Sequence, residues 1–239
     1  MNRNVFITGA SRGIGRAIAA AFAKEGYHLY LVCKHNLSSM QSFADALHAE
    51  YGITAHCYAV DLADTAAFEA LLNTLPDMDV VVNNAGISHV GLLTDMSLSE
   101  WNTVLNVNLT AAFLANKKFL PAMIQRRKGH IIHISSVWGN VGASTEVAYS
   151  ASKGALNSMT KALAKEVAPS NVQVNAIACG LIDTDMNACF CEEDLENVIA
   201  EIPADRMGRP EEVAKLCLQL VEAPGYLTGQ VINLDGGWI

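Results

Sequence analysis

A phenol and an ammonium stand four residues apart in "AYSASKGAL" (148–156), as Tyr149 and Lys153 in a run otherwise made of small side chains. On a helix that spacing stacks both on one face. A cation beside the phenol favours the phenolate and makes its proton easier to give or take, as a general acid or base requires. The same spacing also suits a core tyrosine next to a solvated lysine. The pair therefore acquires meaning only from the elements that would position it.

Those elements are legible. Short apolar runs at 5–8, 28–33, 54–60, 79–83, 130–135, 172–178 and 230–234 alternate with segments of helical periodicity. Two of these segments, "AIAAAFAKEG" and "SFADALHAEYG", close at Gly26 and Gly52 as helix C-caps do. Apolar strands alternating with helices predict a mainly parallel sheet covered on both faces. The expectation is one doubly wound α/β domain of seven strands, a Rossmann fold, over residues 1–239. Residues 183–209 break the rhythm and are predicted to carry one short helix. An insertion there is placed to act as a lid over ligands at the carboxyl ends of the strands.

Directly after the first apolar run comes "TGASRGIG", with Gly9, Gly13 and Gly15 ahead of the first helix. Glycines in that context permit a tight turn and let a phosphate approach the amides of a helix N-terminus, which points to a dinucleotide. The spacing GxxxGxG differs from the GxGxxG of many Rossmann proteins. Which dinucleotide depends on the end of the second strand, where a carboxylate would accept hydrogen bonds from a ribose 2′-hydroxyl and repel a 2′-phosphate. The chain has Cys33, Lys34 and His35 there and no carboxylate.

Composition sets bounds. Hydrophobic residues at 51% and charged ones at 17% suit a large buried core rather than disorder. The formal charge of -8 argues against a nucleic-acid backbone as partner. No leader pattern or bilayer-length apolar run is present, so no membrane association is expected. The six cysteines include no CxxC pair and there is no paired histidine spacing, which argues against a metal site and favours reduced thiols in a cytoplasm.

Four motifs in order, TGxxxGxG, "NNAG" (83–86), "ISS" (134–136) and YxxxK, resemble the short-chain dehydrogenase/reductase family, and the likeness runs over essentially the whole chain. Within it, "TGASRGIGRAIA", "LIDTDM" and "LTGQVINLDGG" are most similar to the β-ketoacyl-acyl-carrier-protein reductases. The resemblance implies NADP(H)-dependent reduction of a ketone to a secondary alcohol, with a 3-oxoacyl thioester as substrate and an acyl carrier protein as partner. It also implies a homotetramer packed through helices around 99–125 and 147–167. By the same resemblance Gly9, Ser11, Arg12, Gly13, Ile14 and Gly15 form the cofactor turn. Arg12 and Lys34, two cations on one pocket, suit a 2′-phosphate. Asp61 and Leu62 would flank the adenine, Asn84, Ala85 and Gly86 would lie along the adenosine ribose, and Ile182 and Thr184 would meet the nicotinamide carboxamide. Tyr149 would donate the proton, its pKa lowered by Lys153, which would also hold the nicotinamide ribose. Ser136 would hold the carbonyl oxygen, and Asn108 would link the lysine to a proton-conducting water chain. Ser135 competes with Ser136, and Asn83 either ties strands together or touches cofactor.

Substrate is less constrained. Met186, Cys189, Phe190 and Ile199 give the lid an apolar face fit for an acyl chain or a ring system. A sugar, steroid or other small alcohol on the same fold is the alternative, and a catalytically silent NADP-binding regulator is a third reading. Arg126, Arg127, Lys128 and Lys165 are candidate cations for an acidic carrier. One departure stands out: Cys179 occupies the position of the family's proline before Gly180. The thiol is either neutral packing or a group near the nicotinamide that senses modification or shapes the substrate pocket.

Overall fold

The computed structural model describes residues 3–187 and 191–239, without the side chain of Glu192. Among the described residues, seven strands run β1 (Arg3–Thr8), β2 (Tyr27–Cys33), β3 (Ala55–Ala59), β4 (Val80–Asn83), β5 (Gly129–Ser136), β6 (Val172–Cys179) and β7 (Val231–Leu234). They form one sheet in the order β3-β2-β1-β4-β5-β6-β7, and every pairing is parallel. The helices are α1 (Gly13–Lys24), α2 (Leu37–Tyr51), α3 (Thr65–Thr74), α4 (Leu98–Leu105), α5 (Ala111–Arg126), α6 (Trp138–Val141), α7 (Val147–Val167), α8 (Glu192–Ala200) and α9 (Pro210–Glu222).

The predicted runs coincide with the strands to within two residues at each end. Gly52 caps α2 at φ 68 and donates its N–H to His48 O at 2.8 Å. Gly26, at φ 76, lies one residue beyond the cap of α1. One apolar core packs α1, α2 and α9 on the sheet, and a second packs α3, α5 and α7 on the other face. Burial on both faces explains why the strands read as continuous apolar runs. Strand order reverses between β1 and β4, so a crevice opens at their carboxyl ends, where ligands of open α/β sheets sit. Among the described residues no helix is long and apolar enough to cross a membrane.

Two local features bear on the site. The long helix expected over 99–125 is broken by a π-helical turn, Asn106–Thr110, between α4 and α5. Such turns widen a helix by one residue and re-aim a side chain, here Asn108. In 183–209 the expected short helix is α8, preceded by a 3₁₀ turn at Asp185–Asn187. Of the predicted lid residues, Cys189 and Phe190 lie outside the described residues.

A buried polar string fastens the site-bearing elements together. Asn83 Nδ2 donates to Asn116 Oδ1 at 2.9 Å, Asn116 Nδ2 meets His133 Nε2 at 3.0 Å, and His133 Nδ1 meets Thr160 Oγ1 at 2.7 Å. Thr160 in turn donates to Leu156 O, so His133 carries its proton on Nδ1 and is neutral. Asn83 is thereby a tie between β4 and α5. Burial, helped by the charge of Lys153, holds His133 down at about 3, against an ordinary value of 6.5. A depressed histidine makes the folded state bind fewer protons than the unfolded chain. Its contribution is complete above pH 6.5 and is lost as pH falls toward 3. Urea unfolding across that range should show stability falling with acid, and His133→Gln should flatten the dependence. Asn116→Ala strands two buried partners and should cost about 1–3 kcal/mol at neutral pH.

Candidate active site

The carboxyl end of β1 turns at Gly9 with φ +68 and enters α1 through Gly13 and Gly15. A Cβ at Gly15 would lie 2.2 Å from Gly9 O and 2.6 Å from Asn84 Nδ2, so only glycine lets the helix start this close to the strand. Asn84 locks the neighbouring turn by donating from Nδ2 to Thr8 O and Gly9 O at 2.9 and 3.1 Å. Thr8 Oγ1 accepts the N–H groups of Asn84 and Ala85. Thr8 is a site-building residue that the sequence reading missed; its only signal was its place before the first glycine.

These turns form one wall of a cleft of about 400 Å³. It gathers Gly9, Ser11, Arg12, Gly13, Ile14, Lys34, Asp61, Leu62, Asn84, Ala85 and Gly86 with Ser136, Tyr149, Lys153, Ile182 and Thr184. Gly15 and Asn108, the other two predicted site residues, stand directly behind it. Asn108 Oδ1 accepts the Ile87 N–H, and its Nδ2 donates to Ile87 O and Ser152 Oγ, each at 2.9 Å. A Cβ at Gly86 would lie 3.3 Å from Lys153 Nζ and 3.5 Å from Asn108 Oδ1, which shows how near the two groups come. Ser152 Oγ donates to Tyr149 O, so the residue before the lysine ties the π turn to α7.

The adjacent serines divide as strand alternation requires. Ser135 Oγ donates to Asn157 Oδ1 at 2.6 Å, into the fold. Ser136 Oγ accepts the Trp138 N–H at 3.2 Å and lies near enough to the Tyr149 phenol to pull its pKa down. Lys153 is 3% exposed, and its ammonium donates to Ile134 O at 2.8 Å, 5.5 Å from the centre of the Tyr149 ring. The sequence reading, in which the lysine lowers the tyrosine, does not describe this geometry. Burial raises the Tyr149 pKa above its ordinary value, and the Ser136 hydroxyl only partly opposes it. Lys153 is the group brought toward neutrality, to about 8, also by burial.

The two cations expected at a phosphate both line the cleft, and each holds a carboxylate: Lys34 Nζ meets Asp61 Oδ2 at 2.8 Å, and Arg12 meets Asp185 Oδ2 at 3.3 Å. Thr184 packs on the glycine turn, 3.2 Å from where a Gly13 Cβ would be. Ile182 bridges to Gly208, closing the base of the 183–209 segment. The Cys179 thiol is buried beside Lys153 and pushed up to about 12, so it stays protonated and unreactive. Of the two readings of Cys179, burial favours packing over a thiol poised to sense modification, and Cys179 lines the cleft.

The four cations considered for an acidic carrier are misplaced. Arg126, Arg127 and Lys128 close α5 and lead into the amino end of β5, and Lys165 lies in the last turn of α7 before β6. Ser136 is at the other end of β5, and eight strand residues separate the ends by about 25 Å. Arg126 is engaged there by Asp77 at 3.1 Å and by Met78 O.

Comparison with known proteins places this geometry in context. The family model described as short chain dehydrogenase matches residues 3–194. The 3-oxoacyl-[acyl-carrier-protein] reductase FabG of Aquifex aeolicus is 42% identical over 236 residues, covering 97% of this chain and 95% of that one. The uncharacterized oxidoreductase YmfI of Bacillus subtilis is 38% identical over 240 residues, covering 100% and 99%. Among solved structures, a proposed NAD(P) dependent gluconate 5-dehydrogenase from Beutenbergia cavernae, with NADP bound at low occupancy, superposes with a TM-score of 0.91. It is 37% identical and covers 99% of this chain and 96% of that one.

The electrostatics make a direct prediction. Carbon NMR of labelled lysines should show one ammonium titrating near pH 8, absent from Lys153→Met. A small thiol reagent at neutral pH should modify exposed Cys191 well before Cys179. Rapid labelling of Cys179 would contradict the burial described above.

Proposed function

Because the chain belongs to the short-chain dehydrogenase family, we propose that it is an NADPH-dependent reductase of ketones, with a 3-oxoacyl thioester on an acyl carrier as the favoured substrate. The observation that carries this reading is the convergence of Ser136, Tyr149 and Lys153 on the same cleft as the glycine turn. The residues fit the cofactor. The crowding of Gly15 against Gly9 O leaves backbone amides of the α1 N-terminus open to a pyrophosphate, and Arg12 and Lys34 offer cations to a 2′-phosphate. When bound, NADPH supplies the hydride to the carbonyl carbon.

The chain's own groups do the rest. Ser136 Oγ, already accepting from Trp138 N–H, has its own proton to direct at the carbonyl oxygen or the phenol. Tyr149, held protonated by burial, gives its proton to that oxygen as charge develops there. Lys153, with its pKa brought to about 8, takes part in returning a proton to the resulting phenolate. Asn108 holds the π turn and the Ile87 backbone against this group.

The 42% identity to a 3-oxoacyl-[acyl-carrier-protein] reductase supports the substrate class. The likeness to a proposed gluconate 5-dehydrogenase keeps a sugar substrate as the second reading. A silent regulator would have no need of an intact Ser136, Tyr149 and Lys153. The segment 183–209 acts as the substrate lid. A homotetramer in the cytoplasm completes the proposal, supported by apolar side chains facing outward on α4, α5 and α7: Leu98, Phe113, Ile124 and Val147.

A screen of NADPH oxidation over acetoacetyl thioesters, keto sugars and ketosteroids should show thioester turnover; activity on a sugar alone would replace the favoured substrate. Tyr149→Phe should lower turnover by about 10²- to 10⁴-fold with NADPH binding unchanged. NADPH should bind at least about tenfold more tightly than NADH, about 1.4 kcal/mol, and Lys34→Asp should erase the preference. Equal affinities in the parent protein would remove Arg12 and Lys34 from the phosphate site.

A further inference from the structure

The segment after β7 touches both the end of the lid and the turn behind Ser136. Gly236 O accepts the Ala204 N–H at 3.0 Å, and Trp238 Nε1–H donates to Glu201 Oε2, at the C-cap of α8, at 3.4 Å. The Trp238 ring also meets Trp138 edge-on, with centroids 4.9 Å apart and planes at 63°. Trp138 in turn donates its backbone N–H to Ser136 Oγ at 3.2 Å. The next residue, Gly139, is pressed onto α7, where a Cβ would stand 2.7 Å from the carbonyl carbon of Lys153. The turn that orients the serine therefore has no slack toward the lysine, and its outer side is held by an aromatic edge.

We infer that Trp238 is a positioning residue for the reaction: its ring holds the alignment of Ser136, and its indole N–H separately ties down the end of α8. The ring fixes the Trp138 turn, and through that backbone the serine hydroxyl. An edge-to-face aromatic pair is directional, so losing it frees the turn to shift. A reacting group displaced by a fraction of an ångström loses much of its effect. The inference rests on the proposed role of Ser136 at the carbonyl, whereas its link to the lid is independent of any activity.

The test compares Trp238→Ala and Trp238→Phe in the full chain, each assayed well below its melting temperature. Trp238→Ala should lower kcat about tenfold with KM for NADPH unchanged. Trp238→Phe keeps the aromatic edge and should restore kcat, which a merely stabilising role would not explain. Both variants lose the indole N–H, so trypsin should cut after Arg206 several-fold faster than in the parent. A parent-like kcat in Trp238→Ala, or an equal loss in Trp238→Phe, overturns the positioning role. Unchanged cleavage in both variants overturns the tie to the lid. Tyr149→Phe, run alongside, should lower turnover by about 10²- to 10⁴-fold without altering cleavage. Normal turnover in that control would refute the assigned acid and leave Trp238 to be decided by its own variants.

Discussion

The burial of one ammonium constrains everything around it. Lys153 keeps 3% of its surface, and its charge is met by Ile134 O at 2.8 Å. A cation removed from water is costly unless it is hydrogen-bonded, and the surrounding chain is shaped to permit it. Gly86 and Gly139 lack side chains where a Cβ would press on the Lys153 ammonium or backbone. The π turn brings Asn108 to the back of the same space, and Ser152 fastens that turn to α7. The residual cost appears as a pKa near 8, where the group exchanges protons at physiological pH.

At the carboxyl ends of the strands, glycine turns bring backbone close to backbone, and polar side chains converge on a cleft. Polar strings join the elements that carry these groups. Asn83, Asn116, His133 and Thr160 join β4, α5, β5 and α7. Ser135, Asn157, Asn140 and Asn233 join β5 to the end of β7 through hydrogen bonds of 2.6, 2.9 and 2.9 Å. The first string is buried throughout, the second runs from buried Ser135 and Asn157 to exposed Asn140 and Asn233, and satisfied buried polar groups rigidify a core. Rigidity is what a site needs if its serine, phenol and ammonium are to stay aligned.

The fold was legible because both faces of the five central strands are buried, which writes those strands as apolar runs, whereas the edge strands β3 and β7 are only partly covered. The site residues were legible because their spacing is local: TGxxxGxG and YxxxK are turns and helix faces. What depended on distance was not. The π turn at Asn108 breaks a periodicity that reads as one continuous helix. Trp138 and Trp238 lie 100 positions apart in the sequence and meet only through the sheet order. Arg126, Arg127 and Lys128 looked available because composition shows charge without direction; following α5 into β5 puts them at the amino end, with Arg126 held by Asp77.

Cys179 shows how one environment decides two chemistries. It ends β6 in register with Ser136 and Leu234, and its carbonyl accepts the Val137 N–H at 3.0 Å. A proline there would supply no N–H to the ladder, whereas cysteine remains an ordinary strand residue with a small, polarizable side chain. The desolvation that lowers Lys153 toward neutrality raises Cys179 to about 12, because burial disfavours the charged form of each and the charged forms have opposite sign. The amine is thereby brought into the range where it can exchange a proton, and the thiol beside it is carried out of the range where it could act as a nucleophile. One burial thus acts on both groups at once, drawing the amine of α7 toward neutral pH and keeping the thiol of β6 protonated.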